Sequence, residues 1–178
     1  MLIYLDTMIV QHCADYDYFI FGDADTNPVS EPKLATELAS LRQLVELEQF
    51  GDWTFAAPQH LMKELLAGMP TSRQRRVYAV LLQAWQESGW EEFFERNEEE
   101  ILSIDQSLKT LKLKGAADRR HLAEAIALNA SWFLTNDKNI IHRTRGQGQN
   151  IGQVHQVRVA RPSECIKEIS VGLFLKSE

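Results

Sequence analysis

Four carboxylates stand where they could share one reaction centre. Asp6 closes the apolar run Leu2-Ile3-Tyr4-Leu5, and Asp137 follows Trp132-Phe133-Leu134-Thr135-Asn136. Asp118 opens a helical stretch upstream of that second run, and Glu64 lies in the helical segment after Pro58. Gathering four acids costs self-repulsion and raises their pKa values unless cations occupy the site. All-oxygen ligands suit hard ions such as Mg2+ or Mn2+. Two such ions can stabilise the attacking and leaving oxygens of a phosphoryl transfer and activate a water. That chemistry needs acids and no Ser or Cys nucleophile.

The elements that must position these acids follow from periodicity. Leu2 to Leu5 reads as a buried strand. Residues 15 to 28 are acidic and aromatic without helical period, which predicts a long loop. Ser30 and Pro32 start a helix to about residue 50, with Leu34, Leu38, Leu41, Leu44, Val45 and Leu47 on one stripe. Residues 53 to 57 read as a second strand, and Pro58 opens a helix that stops near Gly68. The capping box Thr71-x-x-Gln74 begins a helix to about residue 88. An acidic helical region follows, then a Lys-bearing segment over residues 109 to 114. Gly115 precedes a helix over about residues 117 to 130. Residues 132 to 135 and 156 to 160 read as strands three and four, with a Gly/Gln-rich loop between them. Pro162 starts a closing helix to about residue 170. Strands alternating with helices predict an α/β fold around a mostly parallel sheet. Ligands of such sheets sit outside the carboxyl ends of the strands, where Asp6 and Asp137 fall.

Three segments carry a resemblance to a known family: Ile3-Tyr4-Leu5-Asp6-Thr7, Pro58-Gln59-His60-Leu61-Met62-Lys63-Glu64-Leu65-Leu66, and Asp118-Arg119-Arg120-His121-Leu122-Ala123-Glu124-Ala125 leading to Leu134-Thr135-Asn136-Asp137. In this order the chain resembles the PIN-domain nucleases over residues 3 to 141. The resemblance implies a three-layer α/β/α sandwich with a central, mostly parallel sheet of four to five strands. It implies a single domain over residues 1–178, with an extended loop and helix region at 13–50 and a helical insertion at about 71–113. It also implies an Mg2+- or Mn2+-dependent endoribonuclease site of Asp6, Glu64, Asp118 and Asp137, with Thr7, Thr135 and Asn136 supporting the acids. RNA is the implied substrate, and a small antitoxin protein and a homodimer are the implied partners, as in the VapC-like toxins. The regions 15–50 and 71–113 are longer than in compact members of that type, and His60 stands where many members carry a small polar residue.

Each acid also has a structural reading. Asp6 is a candidate strand-end turn residue, Asp137 a helix N-cap for the residues after it, and Glu64 a solvated helix residue. His121, one turn from Asp118, reads as a packing histidine. Glu124 lies about 120° further round the helix and reads as surface. Residues 23 to 27 imitate a calcium loop, but Pro28 and Leu34 occupy the positions of its required Gly and Glu. Gly146-x-Gly148 follows no strand directly and opens no helix, as a dinucleotide loop would.

Composition sets the remaining bounds. At 44% apolar, 178 residues suit one domain with a real core, and 9 Gly with 5 Pro are too few for a low-complexity chain. Two distant cysteines, Cys13 and Cys165, favour neither a disulfide framework nor a thiolate metal site. No basic region precedes the N-terminal apolar run, and no apolar stretch approaches the roughly 18 residues of a membrane span, so a cytoplasmic setting without membrane contact is expected. The net charge of −6 argues against a generally basic nucleic-acid binder. Its distribution changes that reading. Residues 87 to 105 hold eight acids and one base, a local −7, so the rest of the chain sums to +1. Residues 138 to 161 hold five bases and no acid. Lys138, Arg143 and Arg145 there, with Arg119 and Arg120, are the expected RNA contacts. Two other readings follow from the same residues: a non-catalytic module docking a basic partner through the acidic 87–105 helix, or a nuclease acting on DNA.

Overall fold

The unbroken apolar run at the N-terminus forms a strand buried on both faces. In this computed structural model, which describes residues 1–24, 26–48, 53–61, 89–146, 149 and 151–174, that strand is β1 (Leu2–Leu5). With β2 (Thr54–Ala56), β3 (Trp132–Leu134), β4 (Gly152–Val154) and β5 (Val157–Ala160) it builds one sheet in the order β2-β1-β3-β5-β4. β1 pairs in parallel with β2 and β3, and β3 with β5, while β4 runs antiparallel to β5.

Period-two alternation divides the strand residues between two cores. Ile3, Leu5, Trp132, Leu134 and Ala160 face one way. Over them lie α1 (Thr7–Asp15), α2 (Asp17–Ile20) and α3 (Pro32–Glu48), which bury Ile9, Phe19, Leu38 and Leu44. Tyr4, Phe133, Val157 and Val159 face the other way. They meet α4 (Trp90–Arg96), α5 (Glu98–Ser107), α6 (Ala116–Ala127) and α7 (Lys138–Thr144) through Phe94, Ile101, Leu122 and Ile140. The closing helix α8 (Pro162–Phe174) returns to the first face and buries Cys165 and Ile166. The result is the expected three-layer α/β/α sandwich. Among the described residues no helix is long and apolar enough to cross a membrane.

Local structure departs from expectation in four places. Residues 15 to 28 are not one loop: α1 runs to Asp15, and α2 turns Phe19 and Ile20 into the core. The helix expected to reach residue 130 ends as α6 at Ala127, because Asn129 takes a left-handed φ of 53° and closes the chain back on Ile126 and Ala125. β4 was unexpected. Its turn into β5 places His155 at φ 53°, with no Gly, Asn or Asp to mark it in sequence. Finally, Glu124 is 2% exposed and not a surface residue. The helix of residues 71 to 88 lies outside the described residues.

Glu124 is buried because it is fully partnered. Its Oε2 accepts from the Tyr4 hydroxyl at 2.6 Å and from the Gln59 N–H at 3.1 Å. Its Oε1 accepts from Arg120 Nε at 2.9 Å. Arg120 also pairs with Glu98 at the start of α5, at 2.5 Å. Burial, and next the Glu124 carboxylate, push the Tyr4 hydroxyl well above its usual range, so it stays a donor. This network ties β1, the turn after β2, α5 and α6 together. Removing one member of a buried charged set leaves the others unpaired. Glu124→Ala is therefore expected to destabilise the fold by about 3 kcal/mol or more, and Glu124→Gln by about 1–2 kcal/mol. Chemical denaturation measures both; equal losses would contradict the assignment.

Candidate functional site

β1 has β2 on one side and β3 on the other, so the chain order reverses between β1 and β3. In open α/β sheets the crevice at such a reversal, outside the carboxyl ends, is the natural ligand position. The register pairs Leu5 with Leu134. The next residues on the two strands, Asp6 and Thr135, therefore emerge side by side at that crevice.

Their side chains are joined. Thr135 Oγ1 donates to Asp6 Oδ2 at 2.7 Å and accepts from the Asp137 N–H at 3.0 Å. Thr135 is wholly buried, and Asp6 is 5% exposed. Asp6 Oδ1 caps α1 by accepting from the Thr7 N–H at 2.8 Å, and it also meets His121 Nδ1 at 3.3 Å. Asp137 Oδ1 caps α7 by accepting from the Asn139 and Ile140 N–H groups at 2.6 and 3.3 Å. The structural readings of Asp6 and Asp137 as turn and cap residues thus hold. They do not exhaust the carboxylates: among the described residues Asp137 Oδ2 has no hydrogen-bond partner.

Asp118 reaches the same crevice from the opposite layer. It sits in the first turn of α6, and its Oδ2 accepts from the Gly115 N–H at 3.3 Å. A Cβ at position 115 would stand 2.9 Å from Asp118 Oδ2, so a larger residue there would push this carboxylate aside. Partial burial, then the charges of Asp137 and Asp6, raise the Asp118 carboxyl above its ordinary value. Glu64 lies outside the described residues.

His121 belongs to the site and is more than packing. Between its contact to Asp6 and the solvent stands His60, with His121 Nε2 and His60 Nδ1 at 3.1 Å and ring centroids 4.7 Å apart. A buried carboxylate, a buried imidazole and an exposed imidazole thus run from the crevice to the surface. The sequence signal was the position of His121 three residues after Asp118, on the same helix face. Two polar atoms at the rim, Thr7 Oγ1 and Asn136 Oδ1, are buried without a hydrogen-bond partner among the described residues.

The basic residues divide. Lys138 and Arg143 are exposed. Arg119 pairs with Asp105 at 3.3 Å, Arg120 with Glu98 and Glu124, and Arg145 with Glu164 at 2.6 Å. These three guanidinium groups hold the fold's own acids.

Among the described residues, no three His, Cys, Asp or Glu side chains close into a set that could hold a metal ion. The chemistry of the donors nevertheless fits a hard divalent cation. Asp6 and Asp137 are joined through Thr135, burial and then the charges of Asp137 and Asp6 raise Asp118, and Asp137 Oδ2 lacks a hydrogen-bond partner among the described residues. Comparisons with family models, curated proteins and solved structures find no match for this chain.

Because the folded state raises the Asp118 pKa, it binds more protons than the unfolded state as pH climbs through the carboxylate range. Stability associated with Asp118 is thus full below its ordinary pKa and falls as pH rises. In a chelator, Asp118→Asn is expected to melt above the wild type at neutral pH, and the gap should shrink on acidification. A variant that melts lower at neutral pH would contradict the repulsion.

Proposed function

We propose that the chain is a metal-dependent endoribonuclease, in line with its resemblance to the PIN-domain nucleases. One observation carries this reading: Thr135 joins Asp6 to Asp137 at the ends of neighbouring strands, and the charges of both, after its own partial burial, raise Asp118 from a third segment. Such a field is a liability for folding and an asset only where cations bind.

Asp6, Asp118 and Asp137 would hold Mg2+ or Mn2+, with Glu64 as the fourth acid of the family pattern. A divalent ion at such a site supplies charge neutralisation on a phosphodiester and a lowered pKa for water. The protein's own part is positional. Thr135 fixes the rotamer of Asp6 and, through the Asp137 N–H, the backbone of the second acid. His121 holds the other oxygen of Asp6. Lys138 and Arg143, just beyond Asp137, are the exposed cations for the phosphate backbone, while Arg119, Arg120 and Arg145 are given to internal pairs. The antitoxin partner and the homodimer rest on the resemblance alone, and the cleavage reading needs neither. The interaction-module reading loses support because Glu98 and Asp105 of the acidic region are turned onto Arg120 and Arg119.

Single-stranded RNA incubated with the purified chain and Mn2+ tests the reading. Cleavage should stop on chelation and in Asp6→Asn and Asp137→Asn, whose short amides keep both helix caps. Cleavage by folded Asp6→Asn at the wild-type rate would overturn it. Thr135→Val removes both hydrogen bonds of that hydroxyl and no carboxylate, and should raise the Mn2+ needed for half-maximal cleavage by about 10–100-fold.

A further inference from the structure

Beside the acids, on the α1 and α3 side of the carboxyl edge, lies a groove of about 650 Å³. That volume is typical of a small-molecule site, roughly 300–1,000 Å³. Asn136 and Lys138, the two neighbours of Asp137, form the wall it shares with the acids. Arg161 enters from the end of β5, His12 from α1, and Lys33 and Glu37 from α3.

Its acids are already engaged. Glu37 accepts from the Ser163 N–H at 2.9 Å and from the Ser163 hydroxyl at 2.8 Å, which caps α8. Glu31, the other acid on the lining, accepts from the Lys33 and Leu34 N–H groups at 3.2 and 2.7 Å, which caps α3. Both helix ends beside the groove are therefore closed, and anion binding falls to side chains. Arg161 is shared with Glu164 at 3.2 Å. Lys33 and Lys138 make no ion pair with a described residue. Asn136 Oδ1 is buried with no donor among the described residues, a state that a bound group with an N–H or O–H would relieve. His12 is half-buried, and burial lowers its pKa, so near neutral pH it presents an uncharged ring.

We infer that this groove binds the nucleotide next to the scissile phosphate. Lys138 and Arg161 lie on its phosphate, Asn136 on a base or ribose donor, and the His12 ring along its base. The assignment rests on the nuclease reading of the acids and adds to it a place where a single strand is held and its base sensed. Stacking tolerates every base, whereas a single amide acceptor favours a base with a donor in reach.

The full chain in chelator, titrated with each of the four ribonucleoside 5′-monophosphates and with inorganic phosphate, tests the inference without catalysis. Amide shifts in the NMR spectrum should report nucleotide binding at residues 12, 33, 136, 138 and 161. Inorganic phosphate should bind more weakly than the preferred nucleotide. Lys138→Ala, an exposed position, should weaken nucleotide binding by about tenfold. Asn136→Ala should flatten the preference among bases. Shifts absent from these residues, phosphate equal to nucleotide, or Lys138→Ala and Asn136→Ala both binding like wild type would each overturn the subsite. A wild type that binds nucleotide here and cleaves no RNA with Mn2+ would overturn the nuclease reading, leaving a nucleotide site without a scissile phosphate.

Discussion

Thr135 Oγ1 donates a hydrogen bond to Asp6 and accepts one from the Asp137 backbone N–H, so one buried hydroxyl joins the ends of two neighbouring strands. Everything at the crevice depends on that junction. Asp6 is nearly buried, and an unpartnered carboxylate there would bear a large desolvation penalty. Thr135, the Thr7 N–H and His121 together supply three contacts to its two oxygens. The junction exists because β1 and β3 are parallel neighbours in the register that sets Leu5 beside Leu134. A slip of one residue would send both side chains to the opposite faces of the sheet.

The second layer adds the repulsion that gives the site its character. Asp118 belongs to α6, which is packed on the far face, and its carboxylate rests against the backbone of Gly115 within the field of Asp137 and Asp6. The same helix carries Arg119, Arg120 and Glu124, which hold α5 and Tyr4. One element thus delivers an acid to the site and anchors the acidic region away from it. The net charge of −6 averages two regions: acids gathered on α4 and α5, and cations spread beyond Asp137.

How much of this was legible depends on the range of the interactions. Strand β1, helix α3 and the alternation of strands with helices are written in local apolar period, and the structure has them where the period puts them. Asp6, Asp118 and Asp137 stood out because acids at strand ends and helix starts are position-specific. Glu124 was misread because spacing round a helix says nothing of what covers each face. Its setting among Leu122, Ala123, Ala125 and Ile126 was the available sign of burial. The pairing of Arg119 and Arg120 with α5 is long-range, and no local pattern encodes it. β4 escaped because a His at a left-handed turn leaves no glycine to mark the hairpin.

We propose that the carboxyl ends of β1 and β3 and the start of α6 form one cation site. Mn2+ is paramagnetic, so adding it in substoichiometric steps to the labelled protein broadens first the amides nearest to where it binds. Signal loss is expected first at Thr7, Asp118 and residues 135 to 138. Broadening that begins instead along α5, over residues 98 to 105, would contradict it and return function to the acidic surface.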